Sequence, residues 1–185
     1  MILGVDEVGR GCWAGPLVAA AVVLKRPIKG LRDSKKLSRA QREALDVIIR
    51  KRAVGFGIGW VSHEEVDALG LTEAVRLAMT RAVAQLQCDY QRVVVDGNYN
   101  YLSALPDSRA VIKADDSVPA VSAASIIAKV ARDNYMSEME REYPGYGFHN
   151  HVGYGTLGHQ TALASLGVSA IHRRSFAPIR LLLGE

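Results

Sequence analysis

Cysteine is scarce in this 185-residue chain: Cys12 and Cys88 are its only two. Two cysteines build no disulfide framework, and neither stands in a paired metal-type spacing, so reduced, incidental thiols are the expectation. No apolar run approaches the ~20 residues needed to span a bilayer. The first apolar stretch has no basic region ahead of it and is interrupted by Asp6 and Glu7, which argues against a signal peptide. These absences point to a cytoplasmic protein without a membrane partner. Repeats, linkers and low-complexity stretches are also missing, so one domain over 1–185 is expected, within the roughly 100–200 residues typical of a domain. Charge of either sign is moderate. The net value is +4, which suits a polyanionic partner without requiring one.

With 49% hydrophobic and 23% charged residues, the chain can bury a real core. Its organising stretch is Met1 to Gly11, M-I-L-G-V-D-E-V-G-R-G. Ile2, Leu3 and Val5 read as a buried strand. A buried strand is a costly place for the carboxylates of Asp6 and Glu7 unless each is paired or bound to a cation. Gly9, Arg10 and Gly11 follow at once, a turn whose backbone can approach a ligand while the guanidinium clamps an anion.

Leu17 to Leu24 reads as a second apolar strand, forming a hairpin with the first. Ser38 caps a helix to about Arg52, with Leu45, Ile48 and Ile49 on one face. In Ala53 to Val61 the alternate glycines Gly55, Gly57 and Gly59 lie inside a strand pattern, which favours close packing by another element over a nucleotide-binding loop. Ser62 and Glu65 form a capping box. A longer helix from Thr72 to about Gln87 turns Ala74, Leu77, Ala78, Ala82 and Leu86 inward. Two further strands are read at Arg92–Gly97 and Ala110–Asp116, ending in Asp96 and Asp115. Pro119 opens a helix to Tyr143, a Gly/His/Tyr-rich loop covers Tyr146 to Gly155, and a last helix runs from Thr156 to Leu166. The pattern predicts an α/β fold: an antiparallel opening, then parallel strands, with helices flanking the mixed sheet.

Asp96 and Asp115, each closing a strand, join Asp6 and Glu7 as four carboxylates from three strands that can gather at one end of the sheet. Adjacent strand residues face opposite ways, so either the first strand bends or one of Asp6 and Glu7 has another role. Oxygen-only ligands favour a hard cation, Mg²⁺ or Mn²⁺, over zinc. His149 and His151 form an H-x-H without a supporting third ligand, which disfavours zinc there. Along the helix from Pro119, Ser122, Ser125, Lys129 and Arg132 form a polar stripe suited to phosphates, with Arg132 read as solvated. Val121, Ala124, Ala128 and Ala131 form a small-residue face for close packing. His172, Arg173 and Arg174 read as a solvated, backbone-contacting tail.

The motifs D-E-V-G-R-G (Asp6 to Gly11), D-S-K-K-L (Asp33 to Leu37), V-V-D-G-N (Val94 to Asn98), K-A-D with V-P-x-V-S-A-A-S-I-I-A-K-V-x-R-D (Lys113 to Asp133), H-x-G-Y-G-T (His151 to Thr156) and H-R-R-S-F-x-P (His172 to Pro178) occur in this order. Together they resemble bacterial ribonuclease HII, the type 2 ribonuclease H. The resemblance implies a ribonuclease H-like fold with a helical C-terminal segment, and residues of about 146–185 contributing to substrate contact. It implies an endonuclease that cuts the RNA strand of RNA–DNA hybrids on the 5′ side of ribonucleotides, single embedded ones included, leaving 3′-hydroxyl and 5′-phosphate ends. Two divalent ions would be held by Asp6, Glu7, Asp96 and Asp115. Gly9, Arg10 and Gly11 would sense the ribose 2′-hydroxyl, and Tyr154 would stack on the following sugar. A monomer is the family expectation, with the protein partner unassigned. The chain departs from the pattern at Asp116, beside the fourth acid, at Val152, where lysine is common, and at Cys12 and Trp13. Rival readings are a non-catalytic RNA–DNA-binding module and a nuclease for DNA alone. The intact acids disfavour the first, and the Gly-Arg-Gly turn disfavours the second.

Overall fold

In the computed structural model, which describes residues 1–185, the opening strand Ile2–Val8 (β1) lies antiparallel to Leu17–Leu24 (β2). Every residue of β2 is buried. An unbroken apolar run of this kind is what a strand covered on both faces requires. Its alternation sorts the residues: Leu17, Ala19, Ala21 and Val23 enter one core, while Val18, Ala20, Val22 and Leu24 enter the other. The helix Arg39–Arg52 (α1) follows, then Gly55–Val61 (β3), antiparallel on the far side of β2. Both α1 and the short helix His63–Leu69 (α2) begin in full capping boxes, at Ser38 and Ser62.

Leu71–Val83 (α3) packs across β3, as the alternate glycines predict. A Cβ on Gly57 or Gly59 would run into the carbonyls of Ala82 or Ala78, so only glycine lets helix and strand come this close. The helix ends at Val83, short of Gln87, and buries Val75 and Met79 beside Ala74, Ala78 and Ala82. On α1 the apolar face is narrower than predicted, since Ile48 is exposed.

Arg92–Asp96 (β4) and Ser108–Val111 (β5) add in parallel beyond β1, giving the order β3-β2-β1-β4-β5. The strand predicted over Ala110–Asp116 stops at Val111. Lys113 adopts a left-handed conformation (φ 57°, ψ 38°), and Asp115 and Asp116 fall in the first turn of a short helix, Ala114–Ser117 (α4). Asp115 therefore enters the site from a helix. A carboxylate is favoured at a helix N-terminus, and the Val/Ile run that suggested a strand ends before it.

The long helix Pro119–Glu142 (α5) has proline in its first turn and packs on the α1 side of the sheet. Phe148–His151 (α6), Leu157–Leu166 (α7) and Ala177–Leu183 (α8) close a third core around Met136, Phe148, Leu163, Ile171 and Ile179. The sequence pattern had not suggested α8. The charged tail pattern predicts solvated His172 and Arg173, whereas both are buried, at 1% and 0% exposure. No helix is long and apolar enough to cross a membrane.

Candidate active site

The pairing of β1 sets the site. Its ladder with β4 ends at Val5 opposite Val95, whereas its ladder with β2 continues to Val8. Asp6 and Glu7 thus extend past the last rung with β4, where the sheet opens into a cleft of about 480 Å³. The strand keeps its period of two. Asp6 turns toward α5, where the Ser125 hydroxyl favours its charged form; its Oδ1 accepts from the Glu7 N–H at 2.8 Å, and the Ser125 hydroxyl meets that of Ser34 at 2.9 Å. Glu7 pairs with Arg10 at 3.2 Å, and Arg10 in turn lies over the Tyr101 ring, 5.9 Å from its centroid.

Asp6, Asp96 and Asp115 converge: each offers a carboxylate oxygen, and these lie within 4.8 Å of one another. The Asp115 N–H donates to Asp96 Oδ1 at 3.3 Å, and Ser122 Oγ donates to the Asp115 carbonyl at 2.6 Å, fixing α4 against α5. Glu7 is outside this trio but lines the same cleft as Asp6 and Asp96. Asp116 is not part of the trio; it lines the adjoining hollow with Asp96 and Asp115 and pairs with Lys36 at 2.5 Å.

Burial of so much like charge has a clear electrostatic signature. Burial, then the charges of Glu7 and Asp96, push the Asp6 carboxyl well above the usual carboxylate range. Burial also raises Glu7, against the opposing pull of Arg10. Asp115 is raised by burial and by Asp96, with Lys35 Nζ 3.9 Å away opposing. Glu7 Oε2 is buried and has no hydrogen-bond partner. An oxygen-only donor set with raised carboxyls and an orphaned buried oxygen fits a hard divalent cation.

The other predicted contacts divide into two groups. Gly9, Arg10, Gly11, Ser125, Lys129 and Tyr154 all line the cleft with the acids. Gly9 holds φ at +92°, and a side chain there would strike Arg132 and the Pro16 carbonyl; a Cβ on Gly11 would meet nothing within 4 Å. Lys129 is held by Asp133 at 2.8 Å. Burial, with the Cys12 thiol nearby, pushes the Tyr154 hydroxyl up to about 12. Ser122 is not on the cleft surface, since its hydroxyl is spent on Asp115.

Arg132 reverses its expectation. It is fully buried and donates to the carbonyls of Pro16 (2.8 Å), Val152 (2.7 Å) and Ala14 (3.0 Å). Arg173 does similar work, donating to Gly15 O at 3.0 Å and Arg10 O at 3.1 Å. These two guanidiniums replace missing ladder bonds around the Gly9–Gly15 loop. A charged residue at a buried helical phase, or inside an otherwise specific motif, was the only sequence signal for either. His159 has no role in the sequence reading and His172 only that of a tail residue; both are buried and share a hydrogen bond of 2.9 Å.

Comparison with known proteins agrees with this geometry. The family model described as Ribonuclease HII matches residues 3–179. The ribonuclease HII of Halorhodospira halophila is 50% identical over 190 residues, covering 99% of this chain and 95% of that one. That of Laribacter hongkongensis is 48% identical, covering 100% and 96%. The crystal structure of ribonuclease H2 from Pyrococcus horikoshii aligns with a TM-score of 0.84 at 27% identity, over 98% of this chain and 96% of that one. With that fold, a buried acidic cluster and a family match across nearly its whole length, the chain belongs to the ribonuclease HII family, divalent-metal-dependent endonucleases that degrade the RNA of RNA–DNA hybrids.

Proposed function

We propose that this enzyme cuts on the 5′ side of a ribonucleotide, single ribonucleotides embedded in duplex DNA included, and leaves 3′-hydroxyl and 5′-phosphate ends. The observation that carries the proposal is that the Gly9–Gly11 turn shares one cleft with Asp6, Glu7 and Asp96, two of which converge with Asp115. Asp6, Glu7, Asp96 and Asp115 are the residues that would hold two divalent ions, Mg²⁺ or Mn²⁺; the orphaned Glu7 Oε2 supports the inclusion of Glu7. Ions held there would supply an activated water and offset charge on the leaving oxygen.

The chain's own groups do the reading. A 2′-hydroxyl both donates and accepts, and it is the group that separates RNA from DNA at a given site. The Gly9–Gly11 backbone offers N–H and C=O groups to it, and the open space beside Gly11 admits a sugar without displacing protein atoms. Arg10 supplies charge to a phosphate once Glu7 has another partner. Tyr154, 39% exposed on the cleft wall, offers a ring face to the next sugar. Ser125 and Lys129 contact the substrate backbone, and Ser122 acts from behind by fixing Asp115. The enzyme works as a cytoplasmic monomer.

The test is a cleavage assay with Mg²⁺ and Mn²⁺ in turn, on three duplexes: all DNA, DNA with one ribonucleotide, and RNA–DNA hybrid. The expected result is no cutting of all-DNA duplex and incision 5′ of the single ribonucleotide. Failure to cut the one-ribonucleotide duplex, with the hybrid still cut, overturns the proposal.

A further inference from the structure

Two histidines behind the cleft, His159 and His172, share a hydrogen bond, with His151 stacked on His159, and the proton positions of all three are dictated by their partners. The Ser169 N–H points at His172 Nδ1 at 3.0 Å, and Ser169 Oγ lies 2.8 Å from the same nitrogen. The Ser169 carbonyl also comes within 3.3 Å of this nitrogen, but the closer and directed Ser169 N–H makes Nδ1 an acceptor, which leaves the ring's proton on Nε2. That proton faces His159 Nε2 at 2.9 Å. His159 Nε2 must accept it, so the His159 proton sits on Nδ1, where it meets the Tyr154 carbonyl at 3.0 Å. A carbonyl only accepts, so every link is satisfied in one direction: Ser169 to His172 to His159 to Tyr154.

The rest of the surroundings lock the same arrangement. His151 accepts from the Gly153 N–H at 3.1 Å through Nδ1 and donates through Nε2 to the Tyr146 carbonyl at 2.8 Å. Its ring stacks on that of His159 with centroids 4.3 Å apart and 11° between planes. His172 is flanked by Tyr146 and Phe148. The next residue, Arg173, donates to the Arg10 carbonyl, and its N–H reaches the Trp13 carbonyl at 2.8 Å, while the Trp13 N–H reaches Gly153 O at 2.8 Å. One dipeptide, His172–Arg173, thus braces both the Tyr154 loop and the Gly9–Gly11 turn.

We propose that His159 and His172 are positioning residues for ribonucleotide recognition: their one-way hydrogen-bond chain sets the backbone of Tyr154, and so the placement of its ring relative to the Gly9–Gly11 turn. This rests on the reading of Tyr154 as the residue that meets the sugar after the ribonucleotide. A side chain used for orientation loses rate steeply when displaced by about 1 Å. The substrate that depends most on it is the duplex with a single ribonucleotide, where one sugar junction carries the recognition.

The test compares kcat/KM on the single-ribonucleotide duplex with kcat/KM on an RNA–DNA hybrid, as a ratio within each enzyme preparation. A smaller folded fraction cancels from this ratio. His172→Phe keeps the aromatic packing but removes the Nε2–H, and His159→Leu removes both links; each is expected to lower the ratio about tenfold. His159→Asn returns a donor N–H near the Nδ1 position and is expected to hold the ratio within about threefold of the parent. Tyr154→Ala is run beside them. If it lowers the ratio while His172→Phe and His159→Leu leave it unchanged, the positioning role is overturned and the reading of Tyr154 stands. If Tyr154→Ala itself leaves the ratio unchanged, both are overturned.

Discussion

The two walls of the cleft bury charge in opposite styles. On the acid wall, Asp6, Glu7 and Asp115 are sequestered beside one another, with too few donors, and their carboxyls are raised. Behind the reading wall, Arg132 and Arg173 are just as buried, yet between them they donate to five backbone carbonyls. The Glu7 Oε2 left without a donor fits a place built for a cation, whereas each guanidinium nitrogen of Arg132 donates to a backbone carbonyl and holds the loop in shape; Arg173 does so through Nε and Nη1, with its buried Nη2 unpartnered.

The sharpest way to break this comparison is to neutralise one group on each side. Asp6→Asn should lower cleavage on the order of a thousandfold, the scale of removing a preorganised electrostatic element. In the absence of divalent ions its melting temperature should equal or exceed the parent's, because a repelled buried charge is gone. A variant that cleaves normally, or melts well below the parent, would show that the acid wall is structural. Asp115→Asn belongs in the same class.

Arg132→Met should do the reverse. The carbonyls of Ala14, Pro16 and Val152 lose their donor, which should cost about 3 kcal/mol or more in urea denaturation. Cleavage should fall only as far as the folded fraction does when assayed in stabilising conditions. An unchanged denaturation midpoint would remove the bracing role.

The two sides also pull stability in opposite directions with pH. Raised carboxyls bind protons more readily folded than unfolded, so the stability they confer is present in acid and is lost as pH rises through their raised values. His159 and His172, each lowered to about 4 chiefly by burial, behave oppositely: their contribution is present above about 6.5 and is lost as pH falls toward about 4. In metal-free protein, Asp6→Asn should therefore steepen the loss of melting temperature on acidification from pH 7 to 5, and His172→Phe should flatten it. Identical slopes in all three proteins would contradict the assignment.

The smallest expected effect is at Asp116. It stands beside Asp115 in the chain but pairs with Lys36 on an exposed edge. Asp116→Asn should leave cleavage within about twofold of the parent, as for most exposed ion pairs. A loss as large as that of Asp115→Asn would mean that the two exchange roles.

The acid wall was the more legible of the two. The apolar run Ile2, Leu3 and Val5 placed Asp6 on β1, the Val93–Val95 run delivered Asp96 to the end of β4, and proline opened α5 at Pro119. Asp115 was identified by its motif, though its strand was not real: left-handed Lys113 converts the run into a helix, a backbone choice that apolar periodicity does not encode. The bracing wall was nearly invisible. Charge normally marks solvent, and the carbonyls that absorb Arg132 lie more than a hundred positions away or across a loop. The histidine chain was hidden for the same reason, since its members meet only after α7 and the His172 segment fold together. Glu7 is intermediate: alternation showed that it could not face the same way as Asp6, but only the early end of the β1–β4 ladder lets both border one cleft.

The brace at His172–Arg173 also has a consequence for how the molecule is made. Synthesis proceeds from the first residue onward, and domains tend to fold as their segments emerge. Asp6, Asp96, Asp115 and the Ser125 that seats Asp6 are all translated well before Arg173. A nascent chain can therefore assemble its carboxylates while the Gly9–Gly11 turn still lacks its clamp on the Arg10 carbonyl. The bend at Gly9–Gly11 is thus held open to adjustment until the latest-made of its supports arrives.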